Sequence, residues 1–324
     1  MLEAVADEHE VVSVVTQPDR PAGRGHKLVA TPVKRAAQAR GLRVLTPEKL
    51  RPFADEARAL RAGAFVVASY GKIVPQTLLD AVPVAFNVHP SLLPLYRGAT
   101  PLQSAIRDGR DETGVTIIAM DAGMDTGDVL LQERTPIGPT ETYGELHDRL
   151  AKRGAELVVE ALRQHADGTL KRKPQSEVAR ELGITEDEIA RTLTRPLRKE
   201  DLEIAWSQPA RRIVDQVRSL APAPAARTTA PVPATPSAAL TGGEVAPESI
   251  KVLAAHVGGD SDAGGWTMTP GGVNIASGRV PTTFGRAGDG GVVVLDLVVP
   301  PGRPAMSGEA YARSVSQRLA RMFG

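Results

Sequence analysis

The chain has 324 residues, with 39 Lys and Arg against 38 Asp and Glu. That is enough for two domains, and the near balance of charge excludes a global basic field of the kind that announces nucleic acid. The absence of cysteine removes disulfides, thiolate catalysis and cysteine-ligated zinc; no apolar run nears the ~20 residues of a membrane span, and 3% aromatics are too few for a surface that stacks bases on rings.

Residues 2–9 read as a helix and 11–15 as a buried strand. A doubly wound domain opens on a strand and then its first helix, so the first strand and its turn are taken as missing here. Residues 17–34 read as a loop broken by Pro18, Pro21, Gly23, Gly25 and Pro32. From Asp19 to Arg43 the only acid is Asp19, against Arg20, Arg24, Lys27, Lys34, Arg35, Arg40 and Arg43. A solvated surface is the plain account of that run; an arm that meets phosphates is the sharper one.

A helix over 33–40, a strand over 43–45, a helix over 51–61 and a strand over 64–68 follow. Next come a helix over 75–81, a strand over 82–88 stopped by Pro90 and Pro94, a helix over 101–108 and a strand over 114–120. The alternation is the βαβ signature of a parallel sheet, where ligands bind beyond the carboxyl ends of strands. Residues 129–137 read as a strand, and Thr142 with Glu145 as a capping box that opens a long helix closing the domain. The charged stretch 171–201, broken by Pro174 and Pro196, reads as a linker with a short helix near 186–193. Beyond it come a helix over 210–220, an irregular Pro- and Ala-rich stretch to 240, and short strands over 251–255, 273–276 and 292–299. These suggest a small β-barrel, with Ser307 capping a last helix.

The chemistry gathers between 86 and 128. Asn87 and His89, two apart on an extended chain, point to one side, and the loop after residue 120 offers Asp121, Asp125 and Asp128. An amide can donate to a developing oxyanion, and a carboxylate raises a neighbouring imidazole so that it shuttles a proton near neutrality. Asp125 is the carboxylate chosen, because Gly123 and Gly127 allow a tight loop around it. The aspartates miss the spacing of a calcium loop and have no second histidine for zinc, so no metal is expected. Ser91 lacks the Gly-x-Ser-x-Gly surroundings of a nucleophile. Leu92, Leu93 and Pro94 read as core or pocket wall.

Asn87-Val88-His89-Pro90-Ser91-Leu92-Leu93-Pro94, Tyr96-Arg97-Gly98 and residues 121–128 resemble the 10-formyltetrahydrofolate-dependent formyltransferase family. Residues 16–25 look like the insertion loop of its methionyl-tRNA-formylating branch. Arg198-Lys199-Glu200-Asp201, Ile204-Ala205-Trp206 and Ala305-Met306-Ser307 resemble the C-terminal region of that branch.

The resemblance implies a Rossmann-like catalytic domain with a mostly parallel sheet over 1–170, a linker over 171–201 and an OB-like barrel over 202–324 that binds tRNA. It implies transfer of the formyl group of 10-formyltetrahydrofolate to the α-amine of methionine on initiator tRNA, by a cytoplasmic monomer, with no metal and no membrane. By motif, Asn87, His89 and Asp125 are catalytic. Ser69, Tyr70, Gly71, Ser91, Leu92, Leu93, Pro94, Arg97 and Asp121 line the folate site, and Arg20, Arg24 and Lys27 meet tRNA. The family's Gly-Thr-Pro turn is missing from the start, and Ala221-Pro222-Ala223-Pro224 stands where a Trp-containing segment is usual. The alternatives are an impaired RNA-binding homologue that lacks the first strand, and a formyltransferase or hydrolase with another acceptor: a sugar amine, a purine precursor or water.

Overall fold

A computed structural model describes residues 1–22, 27–233, 245–259, 273–276 and 282–323. The chain divides into two compact units. The first comprises Met1–Pro101, Glu112–Pro136 and His147–Arg195; the second comprises Leu102–Asp111, Ile137–Leu146 and Pro196–Gly324.

The first unit begins with α1 (Leu2–Glu8), β1 (Val14–Val15), β2 (Arg20–Ala22), β3 (Lys27–Val29), α2 (Pro32–Ala39) and β4 (Val44–Leu45). β1 pairs β4 in parallel. The segment expected to be a loop is a hairpin, with Arg20 opposite Val29 and Ala22 opposite Lys27. Pro21 is tolerated there because this two-stranded ribbon is all edge. After α3 (Ala54–Ala59) and β5 (Phe65–Val67), α4 (Gln76–Leu79) leads to β6 (Ala85–His89).

α5 (Pro101–Arg107), β7 (Glu112–Ala119), β8 (Val129–Pro136) and α6 (Tyr143–Ala166) follow. Strand order is β5-β6-β7-β8. β5 and β6 are parallel, but β6–β7 and β7–β8 are antiparallel, so this sheet is mixed. The parallel arrangement expected from the strand–helix alternation therefore holds for β1–β4 and β5–β6, while β7 and β8 add antiparallel strands. A parallel crossover lays its helix on the sheet, whereas α5 from Leu102 onward belongs to the second unit.

α6 opens with the expected reciprocal cap: Glu145 accepts from the Thr142 N–H at 2.9 Å, and Thr142 Oγ1 accepts from the Glu145 N–H at 3.4 Å. Val158 and Ala161 of α6 pack with Phe86 and Ile117 in one buried cluster, joined by Val88. Gly154 permits the close approach, since a Cβ there would lie 2.7 Å from Val88 Cγ1.

The stretch read as linker holds two helices, α7 (Gln175–Leu182) and α8 (Glu186–Arg191); the first was not anticipated. Its charged residues hide an apolar edge, because Val178 is buried with Leu93, Ile118 and Val129.

In the second unit, α9 (Ala210–Leu220) buries Ile213, Val214, Val217 and Leu220, the i, i+4, i+7 stripe of an amphipathic helix. β9 (Ala226–Pro233), β10 (Val245–Gly258), β11 (Val273–Ala276), β12 (Thr282–Arg286), β13 (Val292–Val299) and β14 (Met306–Ser307) precede α10 (Gly308–Phe323). The sheet runs β11-β12-β13-β10-β9 with β14 beside β13. Its outer strands β11 and β9 approach each other, so the antiparallel sheet curls as a barrel-like domain requires. Trp206 donates to Thr228 Oγ1 at 2.9 Å, and its ring lies where a Cβ on Gly285 would stand, 2.2 Å from Cη2. Ser307 Oγ accepts from the Ala310 N–H at 3.1 Å, as a cap for α10. Of the stretch read as irregular, 226–233 is strand β9 and 234–240 lies outside the described residues.

Candidate active site

β6 presents two faces. Phe86 and Val88 enter the core under α6, which leaves Asn87 and His89 together on the other face. The loop between β7 and β8 closes over that second face. It is pinned at its base by Met120 N–H on Ala85 O at 2.7 Å and Ala119 N–H on Asp128 O at 2.9 Å. Because β7 runs antiparallel to β6, the loop leaves beside the start of β6 and folds back along it. Gly127 makes the fold possible: a Cβ there would lie 1.8 Å from Ala119 O.

At the tip, Asp125 adopts φ 56°, a left-handed conformation that a surrounding structure must impose on a non-glycine residue. Asn87 Nδ2 donates to Asp125 Oδ1 at 3.2 Å, and the Gly98 N–H donates to Oδ2 at 2.9 Å. His89 Nδ1 lies 3.5 Å from the same Oδ2, while His89 Nε2 is 2.9 Å from Tyr96 O. The amide, imidazole and carboxylate expected from the sequence therefore meet at one point.

His89 is 4% exposed. Burial pushes its pKa below the ordinary imidazole value, while Asp125 and the Tyr96 carbonyl pull the other way. Both ring nitrogens face acceptors. A neutral ring has one N–H and serves one of them; an imidazolium serves both. The ring thus stands between a dry environment that disfavours its charge and two acceptors that favour it.

The residues expected around a folate fall in the segments that frame this point. Val67 is opposite Asn87 in the parallel β5–β6 pair, so 69–71 leave β5 at the end of the sheet where β6 carries Asn87 and His89. Ser69 and Gly71 have φ 47° and 74°. Gln17 donates to Tyr70 O at 2.8 Å. Tyr70 is partly buried against the cluster of Leu50, Phe53, Ala57 and Leu78. Ser91 is fully buried and donates to Leu95 O at 2.7 Å. Leu92 and Leu93 are also buried, and much of the main chain here is engaged within the protein: Ser91 O accepts from Thr116 Oγ1 at 2.6 Å, Leu93 O from Gln132 Nε2 at 2.9 Å and Leu92 O from the Leu95 N–H at 3.1 Å. Asp121 accepts from the Gly123 N–H at 3.0 Å and from Thr126 Oγ1 at 2.8 Å, which braces the loop that carries Asp125.

Arg20, at the start of the hairpin, donates to Gln17 Oε1 at 3.1 Å. Arg24 and the Lys27 side chain lie outside the described residues. Among the described residues, no group of three or more His, Asp or Glu could hold a metal ion, and no helix is long and apolar enough to cross a membrane.

Residues 2–162 match the family model described as formyl transferase, and residues 196–316 match that of the formyl transferase C-terminal domain. A methionyl-tRNA formyltransferase of Anaeromyxobacter dehalogenans (strain 2CP-1) is 42% identical over 97% of this chain and 92% of its own length. The chain belongs to the methionyl-tRNA formyltransferase family. A second relative, from Granulibacter bethesdensis, is 40% identical over 94% of this chain and 86% of its own. In fold, the chain resembles an N-formyltransferase from Helicobacter canadensis solved with folinic acid and dTDP-3-aminofucose. The TM-score is 0.59 at 17% identity, over 91% of this chain and 93% of that one.

For this member of the methionyl-tRNA formyltransferase family, sequence reading missed Gln175. It is buried and hydrogen-bonded to the Asp125 loop. The available signal was the apolar pair Val178 and Ala179, three and four residues on, which marks α7 as a packed helix.

Proposed function

We propose that this enzyme transfers the formyl group of 10-formyltetrahydrofolate to the α-amino group of methionine on initiator methionyl-tRNA, for translation initiation. The observation that carries this is the Asp125 carboxylate, shared by Asn87 and the Gly98 N–H and faced by His89, in a chain of this family. The amine nitrogen attacks the formyl carbon, and the carbonyl oxygen becomes an oxyanion. Asn87 has one amide hydrogen on Asp125 and a second to offer that oxygen. The proton leaving the amine nitrogen goes to His89, whose ring Asp125 faces at Nδ1. Collapse of the intermediate breaks the bond to N10, the proton passes to N10, and tetrahydrofolate leaves.

The folate is assigned to residues 69–71 and 92–97, with Arg97 beside it and its pterin against the 121–125 loop. The folinic acid held by the Helicobacter canadensis enzyme of like fold supports a folate as the co-substrate class. The hairpin with Arg20, Arg24 and Lys27 is assigned to the acceptor end of the tRNA, and the C-terminal domain over 202–324 to phosphates of its arm. The catalytic domain spans 1–170 and residues 171–201 join the two. The enzyme works as a monomer in the cytoplasm, with no metal.

The test is incubation of the full chain with charged initiator tRNA and 10-formyltetrahydrofolate. The expected product is formylmethionyl-tRNA, formed in step with tetrahydrofolate. Release of formate without formylated tRNA, or formylation of an amino-sugar nucleotide in its place, would overturn the proposal.

A further inference from the structure

Gln175 opens α7, directly after Pro174, and is 4% exposed. A buried primary amide has two N–H donors and two acceptor lone pairs to satisfy. Here all four are engaged. Nε2 donates to Asp125 O at 2.7 Å and to Gly127 O at 2.8 Å. Oε1 accepts from Arg97 Nε at 2.9 Å and from Arg97 Nη2 at 2.7 Å.

The two loops joined this way are those that hold the reacting groups. One carries Asp125. The other carries Tyr96, whose carbonyl faces His89 Nε2, and Gly98, whose N–H meets Asp125 Oδ2. Both loops contain left-handed residues, Asp125 at φ 56°, Tyr96 at φ 58° and Gly98 at φ 107°, and such conformations persist where surrounding contacts over-determine them. Thr194 adds a second clamp, donating from its N–H to Arg97 O at 2.8 Å.

We infer that Gln175 is a positioning residue: its side-chain amide locks the Asp125 loop to the Tyr96–Gly98 loop, and so aims the carboxylate at Asn87 and His89. The loop is gripped by its own carbonyls at residues 125 and 127, on both sides of Thr126, so it cannot rotate the carboxylate away. The Thr126 hydroxyl between those carbonyls is itself held by Asp121 at 2.8 Å.

The inference rests on the reading of Asn87, His89 and Asp125 as the reacting groups, so its test includes a measurement that needs no turnover. The titration of His89 is followed by NMR in the full chain with labelled histidine, and a His89→Gln variant assigns the signal. The groups that face the His89 ring are Asp125 and the Tyr96 carbonyl. Arg97 interacts electrostatically with Asp125, and also with Asp121 and Glu186. Asp125→Asn removes the charge that holds the imidazole up, so His89 titrates at lower pH. Gln175→Ala is expected to move it in the same direction by a smaller amount, and Gln175→Ala with Asp125→Asn no further than Asp125→Asn alone. Gln175→Met keeps the length and burial of the side chain without its hydrogen bonds, and serves if the alanine variant does not fold.

In turnover, either Gln175 variant is expected to lower kcat by about tenfold to a hundredfold, with the KM for each substrate within about twofold. A His89 titration that is unchanged in Gln175→Met, while Asp125→Asn shifts it, would overturn the inference. A wild-type chain that makes no formylmethionyl-tRNA would overturn the proposed function instead, and the titration would still decide the role of Gln175.

Discussion

Asn87 gives one amide hydrogen to Asp125 at 3.2 Å, across a loop that only glycine at 127 lets close. Each partner then has a distinct task, and removing either should be felt in the rate and not in the fold. Asn87→Ala is expected to lower kcat by about a hundredfold to a thousandfold, the usual loss for one oxyanion donor. His89→Ala and Asp125→Ala are expected to be at least as damaging. Formylation rates alongside thermal melts check this: a rate loss matched by a comparable loss of folded protein would contradict the assigned roles.

The buried imidazole sets a pH dependence with a definite sign. Burial lowers the pKa of His89 in the folded chain below the value of 6.5 that an exposed imidazole has. The unfolded chain therefore binds the proton more readily, and stability is lost as pH falls from the unfolded value towards the folded one. Denaturant melts between pH 7 and pH 5 should show this loss, and His89→Gln should flatten that part of it. A steeper loss in the variant would show that other groups dominate the window.

The local geometry of the site was open to sequence reading, because a two-residue period puts Asn87 and His89 on one face whatever strand lies beside them. Gly123 and Gly127 likewise marked Asp125 as the carboxylate on a tight turn. Strand direction was not legible: the stretch from Pro90 to Asp111 contains a helix and looks like a crossover, yet β7 returns antiparallel to β6. Gln175 was hidden for a different reason. Its burial comes from hydrogen bonds to residues far along the chain, which leave no periodic trace, while Pro174 and the neighbouring charges read as linker. The hairpin over Arg20–Ala22 and Lys27–Val29 was masked by prolines that an edge ribbon accepts.

Gly127→Ala tests the loop without touching a reacting group. The added methyl would lie 1.8 Å from Ala119 O, a main-chain atom fixed in β7, so the loop must move. A cost of about 1–3 kcal/mol is expected for such overpacking, read as a shift in the denaturation midpoint. Because Asp125 rides on the same loop, kcat should fall as well. A variant with unchanged activity would show that the position of Asp125 tolerates displacement.

Arg20 tests the assignment of the hairpin to tRNA. Its guanidinium contacts Gln17 on an exposed surface, so Arg20→Ala removes a charge without opening the core. If that charge meets a phosphate, the KM for tRNA rises while the KM for the folate stays where it was. The salt dependence carries the finer reading, since each phosphate contact that is lost lowers the slope of log affinity against log salt by about one. A weaker KM with an unchanged slope would place Arg20 against some uncharged part of the tRNA, and unchanged kinetics altogether would remove the hairpin from the interface.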